Sequence, residues 1–424
     1  MMRLFLHSLA ILLLAAIGAE RVVAQGAIVS AGGPVHRSMG GASTAAPLSA
    51  LGAMYWNPAT ISGLEHSELE VGVDLLMTDH VVNSSIGGLG AGSTEAEPGT
   101  FPVPNFAWVH QIQDSPLTFG FSVNSIAGFK TNLAPDPTNP VLAPQAAGGL
   151  GRVSSEASFL QLSPVLSIAL SDRWSIAAGP IITTAQIGLE PFVFDSANGD
   201  NTYPSGRATR YHWGGGAQLG VYFIGEQDWH WGASIKTPAW METFEFFGED
   251  ENGLHRSVHA SIDLPMILSV GAAFDGIDHW VLALDARFID YGSADGFGDS
   301  AAFDASGRLN GLDWSSVMAA AIGVQRSIGD RLFLRGGYTY NQNPIKEAES
   351  FFNVASPLIY EHMLSFGGSL RLDEHVSVSA AYSHYLENSR TGPIYSPALG
   401  AVPNSSVTNE LSASFISFGI LMQH

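Results

Sequence analysis

Along most of the chain, apolar and polar residues alternate one by one. In the stretch 210–223, Tyr211, Trp213, Gly215, Ala217, Leu219, Val221 and Phe223 make one face, and Arg210, His212, Gly214, Gly216, Gln218, Gly220 and Tyr222 make the other. Leu332, Leu334, Gly336, Tyr338 and Tyr340 likewise alternate with Arg331, Phe333, Arg335, Gly337, Thr339 and Asn341. Val376, Val378, Ala380 and Tyr382 alternate with Ser377, Ser379, Ala381 and Ser383. A period of two puts each set on its own face of a β-strand. An apolar face ending in aromatics, backed by a polar or narrow one, suits a strand with lipid on one side and a lumen on the other.

The same reading predicts about fourteen strands, near 68–82, 104–113, 116–131, 157–170, 174–190, 208–224, 229–247, 261–274, 278–291, 313–327, 330–342, 357–372, 375–388 and 407–423. Short turns join some neighbours, at Ser171–Arg173, Gly225–Asp228, Asp275–Asp278, Ser327–Asp330 and Asp373–His375. Long polar loops join the others, at 133–157, 195–208, 248–260, 292–312, 343–356 and 388–406. An even strand number with short turns at one end and long loops at the other predicts an all-β fold, an antiparallel transmembrane β-barrel over residues 68–424. If the last strand pairs with the first, the sheet has no free edge.

Two segments fall outside this pattern. Residues 1–24 carry Arg3, an apolar core from Leu9 to Ala19, and Val22-Val23-Ala24 before Gln25, the layout of a signal peptide with its cleavage site. Residues 25–67 are rich in Gly, Ala and Ser and read as a partly helical plug in the lumen. From Pro47, the residues Leu48, Leu51 and Met54 recur at helical spacing. Pro58 cannot continue that helix, and Asn57 as N-cap, Pro58 as first residue and Gly63 as stop start a new one.

Composition narrows the setting. The formal net charge of −21 argues against a nucleic-acid partner. There is no cysteine, so an exported chain of this kind is held by packing and backbone hydrogen bonds alone. No segment beyond the leader offers about 18 uncharged apolar residues for a spanning helix.

The run GGAST, then MYWNPATISGL, then LEVGVDLL, resembles the FadL/OmpP1/TodX family of outer-membrane long-chain fatty acid and hydrocarbon transporters. A second match lies in GVQRSIGDRLFLRGGYTYNQNPI and PLIYEHMLSFGGSLRL, residues 323–345 and 357–372, so the similarity covers essentially the whole chain past the leader. The resemblance implies a fourteen-stranded barrel that takes up long-chain fatty acids or related hydrophobic compounds passively. Capture is at extracellular loops, the plug rearranges, and the solute leaves sideways at a kinked third strand. It makes Asn57, Pro58 and Ala59 the plug motif. It places the lateral opening in residues 117–131, with Ser125 and Gly128 nearest the kink and Phe101 facing them from the preceding strand. Gly128 there breaks the strand pattern as a bulge does, and Pro102 and Pro104 each remove a ladder donor.

The loop carrying Leu133, Val141, Leu142 and Leu150 is too apolar for a solvated link and is expected to offer the capture surface. By parity, Tyr222, Phe333 and Tyr385 are expected to line the lumen. The chain ends in His424 where many such barrels end in an aromatic, which bears on the usual assembly signal and not on the barrel.

No catalytic motif is present, so no catalytic residue, cofactor or metal is expected. His255 and His259 stand four apart but in a strand or loop, and the oxygen-rich turn Asp195, Asn198, Asp200 and Asn201 reads as solvated. The expected surroundings are outer-membrane lipid and lipopolysaccharide, the partner a hydrophobic small molecule, and the protein a monomer. The alternative is a non-transporting outer-membrane barrel serving as surface receptor or adhesin, with the plug as a structural cork.

Overall fold

The structure is a computed structural model and describes residues 25–88, 90–208 and 210–424; the expected signal peptide lies outside the described residues. The alternating segments form fourteen wall strands: β1 Glu68–Ile86, β2 Phe101–Gln111, β3 Leu117–Leu133, β4 Val153–Ala169, β5 Trp174–Glu190, β6 His212–Ile224, β7 Trp229–Lys236, β8 Met266–Ile277, β9 Trp280–Asp290, β10 Val317–Ile328, β11 Leu332–Asn341, β12 His362–Arg371, β13 Val376–Gly392 and β14 Ser405–Gln423. Each pairs antiparallel with the next. β14 closes on β1 from Glu68 opposite Gln423 to Ile86 opposite Ser405. Closure lets backbone groups bond within the wall, which a hydrocarbon surrounding demands.

The two faces separate by parity as expected. Val71, Leu219, Val270, Leu284, Ile322, Leu334, Phe366 and Ile420 point outward and are exposed, a density of bare apolar side chains suited to lipid and not to water. Trp174 and Trp231 stand near the short-turn end and Trp213 near the long-loop end, also exposed, as interfacial aromatics do. His212, Gln218, Tyr222, Ala381 and Ser383 are buried on the inner side.

Several boundaries differ from the sequence expectation, three of them instructively. The strand expected over 229–247 stops at Lys236, because Thr237-Pro238 follows and proline has no N–H for the ladder. Phe244–Glu249 instead pairs with His255–Ala260 and Arg207–Ala208 in a small sheet outside the wall. The turn expected at Asp275–Asp278 lies at Asp278-His279, with His279 at φ +70°. The helix expected from Pro47 is α2, Ala50–Trp56, preceded by α1, Gly33–Arg37, which the sequence reading did not foresee. Ser49 stays extended and its side chain caps nothing; Glu70 of β1 reaches in and accepts the Leu51 N–H at 2.8 Å, so the wall sets where α2 begins. The turn Pro58–Gly63 follows, with Asn57 Oδ1 accepting from Ala59 N at 3.2 Å as the expected cap.

Residues 25–64 are enclosed by the wall, and Glu65 and His66 before β1 are exposed. α1 lies against β1, β12, β13 and β14, α2 against β1, β2 and β3, and Pro58–Gly63 against β3 to β7. Glycines on the inner face make the fit possible. A methyl group at Gly232 of β7 would stand 1.8 Å from the Thr44 carbonyl oxygen, and at Gly337 of β11 2.1 Å from Gly40 N. Gly323 meets the Met39 carbonyl in the same way, and Gly220, Gly367 and Gly419 meet the side chains of Asn57, Ser38 and Pro34. At Gly232, Gly323 and Gly337 plug backbone therefore rests directly on the wall, a contact only glycine allows.

Candidate functional site

Charge fastens the plug to the wall at three places. Arg37 Nη2 donates to Asp74 Oδ2 of β1 at 2.7 Å with both side chains at 0% exposure, and Asn105 Nδ2 of β2 donates to the same oxygen at 3.0 Å. Asp285 of β9 accepts from Ser43 N at 2.8 Å, Thr44 N at 3.0 Å and Thr44 Oγ1 at 2.8 Å, while Arg287 bridges it to the Gly41 carbonyl. Glu70 holds α2 as described. Asn57 adds a neutral tie, its Nδ2 donating to Thr44 O at 2.8 Å and to Val221 O of β6 at 2.9 Å. These anchors are legible by parity in hindsight: Glu70 and Asp74 alternate with outward Val71 and Val73, and Asp285 and Arg287 with Leu282 and Leu284.

Between β2 and β3 the wall is incomplete. The two strands pair from Gln111 opposite Thr118 only as far as Asn105 opposite Asn124. Beyond that, Phe101–Pro104 pairs with β1 alone, and β3 runs on to Leu133 paired with β4 alone, with a bulge between Ser125 and Ala127. Pro102 and Pro104 remove two donors from the unpaired piece of β2. At the far end the opening is bridged by Ala96 N donating to His80 O and Glu97 N donating to Asn132 O, each at 2.8 Å. The result is a window framed by Phe101–Pro104, residues 96–97 and residues 125–132.

The N-terminal segment covers part of the window's β3 edge. Val29 N donates to Ile126 O at 2.9 Å, and Gly128 N donates to Ala27 O at 3.3 Å, a short antiparallel bridge. Tyr291 fixes the segment further by accepting from Ile28 N at 3.1 Å and donating to Gln25 O at 2.8 Å. Burial raises the Tyr291 phenol, so it keeps the proton it donates.

Two cavities meet at the window. One, of about 770 Å³, is lined by Ala27, Ile28, Phe101, Val103, Ser125, Gly128, Tyr360 and Tyr385 among others. The other, of about 1260 Å³, lies toward the long loops and is lined by Phe159, Phe192, Phe194, Phe246, Phe297 and Phe352 among others. Phe129, Ala355 and Ser356 line both, so the two cavities are neighbours with these three residues between them.

The sequence-predicted residues fall into four groups. Phe101, Ser125, Gly128 and Tyr385 come together around the smaller cavity. Leu133, Val141 and Leu142, expected on a capture surface, are instead buried with Val82, Phe351, Phe352 and Val407 as the core of the loop cap; only Leu150 of that set lines the larger cavity. Tyr222 packs beneath the plug against Ile61 and Leu64 and bonds His230, and Phe333 lies between Arg335 and Arg371; neither lines either of these two cavities. Asn57, Pro58 and Ala59 are buried at the junction of plug and wall. The oxygen-rich turn is filled by a guanidinium: Arg256 donates to Asp195 Oδ1 at 3.2 Å, Asn198 Oδ1 at 2.7 Å and Ser196 O at 2.6 Å.

The burial of His36 predicts a pH response in the plug. Its Nε2 lies 2.8 Å from Ala46 O, and its ring covers Gly52, where a methyl group would stand 1.7 Å from Nδ1. Burial lowers its pKa from 6.5 to about 4; the Ala46 bond opposes this, and Arg335 and Arg287 add to it. A histidine that binds its proton more weakly when docked stabilises docking fully above pH 6.5, and the contribution is lost as pH falls through about 4. The full difference is on the order of 3 kcal/mol. Plug amides in residues 33–46 are expected to exchange faster at pH 4.5 than at pH 7, after correction for intrinsic rates. His36→Gln should remove much of that dependence; an unchanged dependence would refute the assignment.

A family model described as outer membrane protein transport protein (OMPP1/FadL/TodX) matches residues 15–420. No curated protein matches the chain. Among solved structures, a Pseudomonas aeruginosa FadL homologue is 16% identical over 94% of this chain and 99% of that one, with a TM-score of 0.72. The Pseudomonas putida toluene transporter TodX is 16% identical over 93% and 99%, with a TM-score of 0.69. The Ralstonia pickettii toluene transporter TbuX is 16% identical over 93% and 99%, with a TM-score of 0.67. At such identities the likeness to each is one of fold.

Proposed function

Because the chain belongs to the OmpP1/FadL/TodX family of outer membrane transport proteins, we propose that it takes up long-chain fatty acids or related hydrophobic compounds passively and releases them sideways through the window between β2 and β3. The family consists of transport channels, so the protein is an outer-membrane channel and not an enzyme. The single observation that supports the finer reading is an unpaired stretch of wall with a cavity behind it, and a phenylalanine-lined cavity next to that one.

The physical reason for a sideways exit is the solute itself. Each methylene moved from hydrocarbon into water costs about 0.8 kcal/mol, so an alkyl chain led down a wet axial pore would lose most of its favourable free energy. A path from the loop cavity past Phe129 to the window keeps it covered until it meets lipid. The plug below, tied by Arg37, Asp74 and Asp285, blocks the axial route. Release of residues 26–29 from β3 would widen the window without breaking those ties, since they lie further along the plug.

Oleate entry into vesicles carrying a trapped fatty-acid sensor tests this reading. Vesicles with the protein are expected to fill faster than empty ones, with a rate that saturates; equal rates would overturn it in favour of a receptor with a fixed cork.

A further inference from the structure

The first described residue, Gln25, is where the expected signal peptidase cut leaves the mature N-terminus. It is 2% exposed, and neither its side-chain nitrogen nor its side-chain oxygen has a hydrogen-bond partner among the described residues. Its carbonyl is held by Tyr291, and the next residue is pressed so closely on the Tyr291 and Trp314 rings that a methyl group at Gly26 would stand 2.8–2.9 Å from them. Ala27, Ile28, Tyr291, Phe297 and Trp314 belong to one buried apolar cluster.

A newly cut terminus would bring a charge into that place. A free α-amino group has an ordinary pKa of about 7.7–8.0 and is mostly protonated at neutral pH. An ammonium without a carboxylate is among the costliest groups to bury, and a side-chain amide with both ends unpaired adds to the cost.

We propose that Gln25 is a modification site, at which the mature N-terminus closes to a pyroglutamyl lactam before the segment docks. The α-amine lone pair attacks the Gln25 Cδ, the N–Cδ bond forms, and the Cδ–Nε2 bond breaks. Nε2 leaves as ammonia carrying a proton from the α-amine, so no oxidant or co-reactant is required. The lactam is neutral, loses the unpartnered amide nitrogen, and is compact enough for the space between Tyr291 and the strand edge. Cyclisation takes place while the exported terminus is still in solution, since the docked residue is closed off. The N-terminal segment then seats against β3 without a charge at its tip. The inference rests on cleavage after Ala24, part of the export reading, and the test separates the two.

The intact mass and amino-terminal peptide of protein freshly extracted from outer membranes decide it. The expected result is a chain starting at position 25 whose mass is about 17 Da below that of the free-amine form, the mass of one ammonia, together with resistance to stepwise amino-terminal degradation. A Gln25→Ala variant should show the free-amine mass and degrade normally. A chain starting at Gln25 with an open amine would overturn the lactam while leaving the cleavage site intact, and would point to a cation held over the Tyr291 and Trp314 rings. A retained leader or another start would overturn the proposal through its premise. A 17 Da deficit that persists in Gln25→Ala would place the loss elsewhere and also overturn it.

Discussion

Placing tryptophan at Ser125 is expected to slow oleate entry into protein-containing vesicles by about tenfold or more, equivalent to a barrier raised by about 1.4 kcal/mol. Ser125 is the last β3 residue before the bulge, it is buried, and it lines the smaller cavity where β2 and β3 part. An indole there fills the frame from the β3 side and meets Phe101 or Val103 across it. The wall ladder loses nothing, because Ser125 stays paired with Leu160 of β4 and has no β2 partner to give up. The initial rate of sensor quenching measures the effect, with the barrel's resistance to unfolding in detergent as control. Unchanged entry through a folded barrel would show that solute does not leave between these strands.

The second large effect concerns the plug. Arg37→Met alone, or Asp74→Leu alone, should destabilise the docked plug by about 3–5 kcal/mol, because each leaves a buried charge without its partner. Asn105 offers Asp74 one remaining donor, and Arg37 keeps the Ala31 carbonyl at 2.7 Å and the Phe415 ring 4.3 Å from its guanidinium, neither of which carries a charge. The double variant Arg37→Met with Asp74→Leu should recover most of the loss, since a packed apolar pair of similar size carries no desolvation penalty. Amide exchange across residues 33–56 reads the plug separately from the wall. Losses that simply add in the double variant would mean that the pair does not couple plug to barrel.

Much of the wall was legible in the sequence because a strand's two faces are a local property. Val71 and Val73 against Glu70 and Asp74 tell which side meets lipid before any partner strand is known. The cap at Asn57-Pro58 was legible for the same reason, since its chemistry is complete within three residues. Depth was not legible: parity put Tyr222, Phe333 and Tyr385 inside alike, but of the three only Tyr385 lines the cavity at the window, and the height of the plug follows from contacts hundreds of residues apart. The apolar loop around Val141 and Leu142 read as a surface because its cover, Phe351, Phe352 and Val407, comes from other loops and from the last strand. The window is a property of two strands that fail to meet, so prolines at 102 and 104 and a glycine at 128 hint at it without fixing its edges.

Pairing of β14 with β1 has a consequence for biogenesis. The residues that emerge first end up in the middle, and those that emerge last shut the cylinder around them. Wall glycines that leave no room for a side chain between plug and strand also leave no room for late threading. The amino-terminal segment is therefore expected to be in place, as a mandrel among staves, before the last seam closes.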